Sequence, residues 1–403
     1  MTECLRKEDF HMRYVIRGAR VILPDTVKDT QVITEGKQIL GIEEHFDLMP
    51  GDRLINAEGL TLCPGFVDIH VHGGGGYSVN SGSKDAVKKM AQAHAEWGTT
   101  SVLPTTLASP MPQLLGAISA VREAARSQDG PTVLGIHLEG PCLNPAQSGA
   151  QAPGSLLVPA ENDITPLLDA WPEGLKMMGA APELNGGMAL GDELTRRGIV
   201  ASIAHSDATY YQAQEAIRHG YCDVTHLYSS CSGLIRVNSY RIPGLIEAGL
   251  NLDELTVQVI ADGKHLPLEL LSLIYRCKGD KKIELITDGL EFSASELEEG
   301  TVYRQQNGVE TVYEDGVMKL LSRQAFAGSV ATLSRCVKNM VLAGVPLDRA
   351  VRMASENPAR RVGAAQKGRV EAGRDADLVL LNKELTPVWV MARGQVLRDG
   401  LGE

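Results

Sequence analysis

Six residues of this chain have the side chains and the spacing to hold a divalent metal. His70 and His72 form a His-x-His pair, and Glu139, His205, His226 and Asp288 each close a short apolar run. In a strand alternate side chains share a face, so the two imidazoles of the pair point the same way. Neutral imidazole and carboxylate are ligands for Zn²⁺ and similar ions, and such an ion lowers the pKa of bound water towards about 7, making hydroxide near neutral pH. The expected chemistry is therefore metal-assisted hydrolysis with one or two ions. Zinc is the foremost candidate, and the same donors accept Fe, Co, Ni or Mn. A nearby carboxylate must move protons, and Asp288 is the candidate.

Taken singly, each residue has a simpler account. A lone buried histidine is more often a satisfied core residue, and the Asp of an Asp-Gly pair often serves a turn or helix cap. Recurrence of all six at one register is what sets them apart. His11, His45, His94 and His219 lack that register and read as surface or helix histidines. His137 shares a strand face with Glu139, which suits it to support a ligand.

The elements that must position these residues are eight apolar, strand-like runs at 66–72, 101–106, 133–140, 176–183, 200–206, 223–228, 256–263 and 283–289. Between them lie stretches of helical spacing such as SKDAVKKMAQAHAEWG and ATYYQAQEAIRHG, each ending in Gly, a common helix stop. Strand and helix in alternation imply a parallel sheet, and eight strands are what a (β/α)₈ barrel requires. The polar residues then fall at the C-terminal strand ends, the face where barrel enzymes build their sites. Both chain ends are instead β-rich and turn-broken and read as small antiparallel sheets. The division expected is a β-sandwich from 1–62 and 360–403 and a barrel from 63–359, with a β-hairpin insertion near 291–322 and a helix over 329–342. Gly73 to Gly76 lack the spacing of a dinucleotide fingerprint and read as close packing beside the metal motif.

Composition narrows the function further. Of 403 residues, 50 are acidic and 39 basic, a net charge of −11 that argues against a nucleic-acid binder. Seven cysteines, an odd number with no Cys-x-x-Cys, argue against a disulfide framework. The charged start MTECLRKEDFHMR has no apolar core, and no run approaches a membrane span, so no membrane role and a cytoplasmic location are expected.

The motifs together resemble the amidohydrolase superfamily, and within it the N-acetylglucosamine-6-phosphate deacetylases. PGFVDIHVHG (64–73), HLEGPCLNPAQSGAQ (137–151), AHSDA (204–208), THLY (225–228), ADGKH (261–265), ITDG (286–289) and AGSVATL (327–333) look like that family's landmarks in its order. ENPAR (356–360) and GRVEAGRDADLVLL (368–381) are similar to the superfamily's return to its β-sandwich. HLEGP with the downstream GAQ, and ADGKH, narrow the resemblance to the sugar-phosphate deacetylases. It implies that Glu139, His205 and His226 hold the main metal, that His70 and His72 complete a second position with Glu139 bridging, and that Asp288 is a metal ligand and the general base and acid. His265 would polarise the acetyl carbonyl, and Gln151, Ser229, Ser230, Arg241 and His265 would bind substrate. The implied partner is an amino sugar phosphate and the implied assembly a homodimer.

The sequence departs from the family where phosphate is read. After THLY the family continues Asn-Ala-Met and later Arg-Glu-Pro-Gly, whereas this chain has Ser229, Ser230 and Cys231, then Arg241-Ile242-Pro243-Gly244. Arg241 is the best phosphate candidate because guanidinium matches phosphate oxygens in pairs, and Arg236 reads as a solvated loop arginine. The residues after Asp288, GLEFSASELEEG, also depart and would resize the pocket. Three functions are weighed: deacetylation of N-acetylglucosamine 6-phosphate; hydrolysis of another amide by the same machinery, with N-acetylgalactosamine 6-phosphate, a cyclic amide or an N-acyl amino acid as substrate; and a silent scaffold, against which the retention of all six residues argues.

Overall fold

The computed structural model describes residues 12–305, 309–324 and 326–402. Residues 1–11 of the charged start, Cys4 and His11 among them, and residues 306–308 of the expected insertion lie outside them. The chain forms the expected barrel, with β-sheets contributed by both chain ends. Its strands are β1 (Phe66–Val71), β2 (Thr99–Thr106), β3 (Ile136–Glu139), β4 (Leu175–Ala180), β5 (Val200–Ile203), β6 (Tyr221–Val224), β7 (Thr256–Ile260) and β8 (Ile283–Ile286). Each pairs in parallel with its neighbour from β1 to β8. The ring closes just beyond the last strand, where Val71 bridges Gly289 and the Asp288 N–H donates to the His70 carbonyl at 2.9 Å.

Burial on both faces explains why these runs are rich in Val, Ile, Leu and Met, with the polar residues among them small or hydrogen-bonded. Every residue of β1, β2, β3, β7 and β8 is buried. The connecting helices start where capping chemistry permits. Ser83 accepts the Ala86 N–H ahead of α1 (Lys84–Ala95), and Thr209 forms a capping box with Gln212 ahead of α2 (Tyr210–Arg218). Each such cap is worth about 1 kcal/mol. The expected run at 133–140 is interrupted at Gly135, where a Cβ would lie 2.3 Å from the Gly174 carbonyl oxygen and φ is +147°. The helix expected over 329–342 begins later, as α3 (Leu333–Leu342), because Ser329 first pairs with Gly289.

The chain ends build two sheets. One takes Gln38–Glu43, Gln31–Glu35, Arg13–Arg17 and Arg53–Asn56 in that order; the other takes Gln395–Asp399, Pro387–Ala392, Leu378–Leu381, Thr61–Pro64, Arg20–Ile22 and Val27–Asp29. Tyr14, Ile16, Val32, Leu62, Leu380 and Trp389 share the core between them. These sheets are not purely antiparallel. Arg13–Arg17 runs parallel to Arg53–Asn56, and Arg20–Ile22 parallel to Thr61–Pro64. The chain crosses from one sheet to the other near Gly18 and again near Ala57, and two strands that make the same crossing side by side must run the same way. The segment expected as a hairpin carries three antiparallel strands, Val302–Arg304, Glu310–Glu314 and Val317–Leu320. Among the described residues no helix is long and apolar enough to cross a membrane.

Candidate active site

Glu139 is the last residue of β3, and His70 and His72 lie at the end of β1 and one residue past it. His205, His226 and Asp288 each stand two residues beyond the end of a strand, after β5, β6 and β8. All three have left-handed backbone, with φ of +44°, +30° and +47°. Non-glycine residues adopt that region rarely and at a cost of about 1–3 kcal/mol, and such strain gathers at functional sites. The glycine run after His72 packs tightly: a Cβ on Gly73 would lie 2.4 Å from the Tyr77 carbonyl oxygen and 2.8 Å from the Glu291 Cα.

The six side chains converge in two trios, His70, His72 and Asp288 in one and Glu139, His205 and His226 in the other. Glu139 joins them. Its Oε1 lies 2.9 Å from His226 Nε2 and 3.1 Å from His205 Nε2, and its Oε2 lies 3.3 Å from His72 Nε2. Asp288 Oδ1 is 3.1 Å from His72 Nε2 and 3.4 Å from His70 Nε2. His70 and His72 are fully or almost fully buried, as are Glu139 and His226, while the Asp288 side chain keeps 22% of its exposure.

The donor set fits a divalent cation. All four histidines use Nδ1 elsewhere, facing Gln258 Oε1 at 2.9 Å and the carbonyls of Thr105, Gln147 and Ser229 at 3.0, 2.8 and 3.0 Å respectively. Those acceptors hold the proton on Nδ1 and leave the Nε2 lone pair aimed at the centre. Two such nitrogens meet at 3.2 Å in each trio, His70 with His72 and His205 with His226. Lone pairs face to face repel unless positive charge lies between them. The charge balance agrees. Burial disfavours an imidazolium, yet the Glu139 and Asp288 carboxylates outweigh it and raise the pKa of His70, and that of His72 to about 10. Burial likewise works against charge on Glu139, but His70 and His205 with His226 hold its carboxyl well below the usual range.

The other anticipated residues divide. Gln151 is buried and engages both ends of its amide, with Nε2 donating to Glu139 Oε2 at 2.6 Å and Oε1 accepting the Ala108 N–H at 2.8 Å. His265 Nδ1 bonds Asp262 Oδ2 at 2.7 Å, and its ring packs on Phe326 at 5.0 Å between centroids. Burial lowers the His265 pKa, but the Asp262 bond and charge outweigh this and raise it, with a further contribution from Asp288. Ser229 meets the site through its carbonyl, and Ser230 packs over the 149 loop. Arg241 and Arg236 do not join the cluster. They face each other on an exposed two-stranded hairpin, Ile235–Val237 with Tyr240–Ile242, where Arg241 Nη1 donates to the Ser239 carbonyl. His137 packs edge-on against His70 at 4.8 Å and bonds the Ile69 carbonyl. His94 is helical but fully buried, bonding the Gly73 carbonyl at 2.9 Å.

Sequence reading missed Asp262, which orients His265, and Gln258, which faces His70. A polar residue inside an apolar strand was the available signal for Gln258. Beside His72 a cavity of about 510 Å³ opens, lined by Asn80, Ser109, Gln151, Glu291 and, from the insertion, Gln305.

Comparison with known proteins agrees with this geometry. Residues 61–397 match the model of the Amidohydrolase family. The chain is 30% identical to the N-acetylgalactosamine-6-phosphate deacetylase of Escherichia coli O157:H7, over 96% of this chain and 99% of that protein. It is also 30% identical to the N-acetylglucosamine-6-phosphate deacetylase of Lysinibacillus sphaericus, over 93% and 95%. Among solved structures it superposes on the N-acetylglucosamine-6-phosphate deacetylase of Pasteurella multocida with a TM-score of 0.86 at 26% identity, covering 96% of this chain and 99% of that one. The Mycobacterium smegmatis enzyme of the same name gives 0.84 at 29%, covering 96% and 100%. A parallel barrel with two His and carboxylate trios able to hold a metal at its strand ends, matched from end to end by hydrolases of this kind, means that the chain is a hydrolase belonging to the amidohydrolase family.

Proposed function

We propose that this hydrolase removes the acetyl group of an N-acetylamino sugar 6-phosphate, N-acetylglucosamine 6-phosphate first, releasing acetate and the amino sugar 6-phosphate. The observation that carries the reading is the junction of two ligand trios on Glu139 in a chain whose full-length relatives are deacetylases of such sugars. One or two divalent ions, zinc foremost, would be held by His70, His72 and Asp288 and by Glu139, His205 and His226. Such an ion supplies Lewis acidity, which activates water and polarises an amide carbonyl.

The chain's own groups supply the rest. Although burial opposes its charge, His70 and His72 hold Asp288 down to a pKa of about 2, so it is an ionised base at neutral pH. In this reading it takes the proton of the attacking water and returns it to the departing amine. His265, with Nδ1 engaged by Asp262, keeps Nε2 for the acetyl oxygen, where negative charge develops. Gln151 orients Glu139 by its 2.6 Å bond and lines the cavity where the sugar would sit.

The second copy implied by a homodimer has a candidate surface. Leu234, Ile235, Val237 and Tyr240 expose apolar side chains on the hairpin that carries Arg241. Pairing there would bring Arg241 to the partner's sugar phosphate. The barrel of 63–359, with the 291–322 insertion as a wall of its cavity, and the two-ended sandwich are the corresponding division of labour, and the cytoplasm is the expected compartment. The test is acetate release from N-acetylglucosamine and N-acetylgalactosamine 6-phosphates and from both unphosphorylated sugars, run with metal quantitation. Turnover of the glucosamine ester with a need for phosphate is expected; equal turnover of the unphosphorylated sugars would overturn the reading.

A further inference from the structure

We propose that Gln258 and Asp223 are positioning residues that decide which nitrogen of His70 faces the metal trio. The inference rests on the metal-dependent reading above and extends it to residues that touch neither ion nor substrate. Gln258 lies in β7 and Asp223 in β6, and both are fully buried with His70.

A glutamine amide can be turned either way, and its surroundings decide. Gln258 Nε2 donates to Asp223 Oδ2 at 2.7 Å and also faces Met177 Sδ at 3.4 Å. Turning the amide would set its oxygen against a carboxylate and a thioether, neither of which donates. Gln258 Oε1 is therefore held towards His70 Nδ1, 2.9 Å away. An acceptor at that point requires Nδ1–H and leaves Nε2 with its lone pair. Asp223 is itself pinned. Its Oδ2 also accepts the Ser202 hydroxyl and its Oδ1 the Thr256 hydroxyl, each at 2.7 Å. Three donors on a buried carboxylate give it no reason to rotate, so the order passes from Asp223 through Gln258 to His70.

The other site histidines are set by backbone carbonyls, which cannot be turned by substitution. His70 alone among the four depends on a side-chain amide, which makes its orientation separable by mutation.

Two readouts test this. In metal-free protein labelled with ¹⁵N-histidine, at a pH high enough for the His70 ring to be neutral, His70 is expected in the Nδ1–H tautomer, and in Asp223→Ala it shifts towards Nε2–H. Zinc titration against a chelator is expected to show Gln258→Met and Asp223→Ala weakening one ion by about 10- to 100-fold, as loss of an orienting partner does, while the other ion stays. Asp223→Asn still offers an oxygen to Gln258 and is expected to rescue the tautomer and the affinity. A neutral wild-type His70 ring protonated on Nε2 would overturn the proposal. So would wild-type zinc affinity in folded Gln258→Met and Asp223→Ala, or an Asp223→Asn variant no better than Asp223→Ala. If the wild type takes up no zinc, the functional reading fails instead, and the tautomer still decides the role of Gln258. Should Gln258→Met not fold, the wild-type and Asp223→Ala spectra decide alone.

Discussion

Asp262 Oδ2 lies 2.7 Å from His265 Nδ1, and the other oxygen of the same carboxylate accepts the backbone N–H groups of Lys264 and His265 at 2.8 Å. The pair fixes both the direction and the charge of an imidazole that has no carbonyl to orient it. Its consequence is a pH dependence. With Nδ1 committed to Asp262, Nε2 donates to the acetyl oxygen only as long as His265 keeps its second proton. Its pKa is raised, so the donor survives above the ordinary histidine value and activity falls on the alkaline side. Asp262→Asn removes the charge that raises it, so the alkaline limb moves to lower pH and kcat falls by about 10- to 100-fold. The sign for stability is the same: the contribution of the pair is full below about pH 6.5 and is lost as pH rises through the raised value. An alkaline limb that does not move in Asp262→Asn would remove His265 from the mechanism.

Metal content should divide between the trios. Because Glu139 touches both, Glu139→Ala is expected to lose all bound ions, whereas His72→Ala loses only the ion of the His70 trio. Asp288→Asn is expected to lower kcat by about 10²- to 10⁴-fold, the usual share of a general base. Elemental analysis of the purified variants, beside acetate release, checks each. Full activity in Asp288→Asn would end its assignment as base.

Arg241 sits on an exposed hairpin, so in the proposed dimer it would act on the phosphate of the second subunit. Arg241→Ala is expected to raise KM for the phosphorylated sugar by about 10-fold or more, in line with the ~1.5–3 kcal/mol of a charge-assisted bond, and to leave the unphosphorylated sugar unchanged. Ile235→Asp on the same hairpin is expected to give monomers by light scattering and the same KM defect. A monomeric wild type with tight phosphate recognition would refute both expectations.

Stability has its own charged centre at the opposite end of the barrel strands. Glu284 is almost fully buried; burial, with Asp223 nearby, raises its pKa to about 8, and Arg361 offsets part of that cost. Arg361 also donates to Thr256. Because the folded value is near 8, Glu284 is protonated at lower pH and ionises beside Arg361 only above it. The loss caused by Arg361→Met is therefore small below that value and grows as pH rises past it, towards the about 3–5 kcal/mol of a buried charge left without its partner. Denaturant titrations at pH 6 and 9.5 measure it, and a loss that is equal at both would show that Glu284 is not responsible.

The barrel was legible because its strands are buried on both faces, and short runs rich in Val, Ile, Leu and Met between stretches of helical spacing are visible without a partner. That the six candidate ligands would converge was legible because each stands at or just past the end of such a run. The sandwich was harder: its parallel pairs arise from two crossings near Gly18 and Ala57, a relation between distant segments with no local signal. Gln151 and Arg241 show the limit for substrate groups. Both were marked by motif, yet Gln151 proved to be engaged with Glu139 and Arg241 stands apart from the cluster.

What the sequence by itself determined is therefore the inventory: which strands form, and which imidazoles and carboxylates stand at their ends. These follow from short-range patterns, apolar runs and side-chain alternation, that need no knowledge of the partner strand. The tertiary structure decided how the inventory works. The left-handed turns of His205, His226 and Asp288, the sharing of Glu139 and the Gln258 acceptor on His70 all join residues from different strands. His70 and Gln258 are 188 positions apart and meet only once the barrel closes, because parallel strands bring their ends together through the fold and not through the chain.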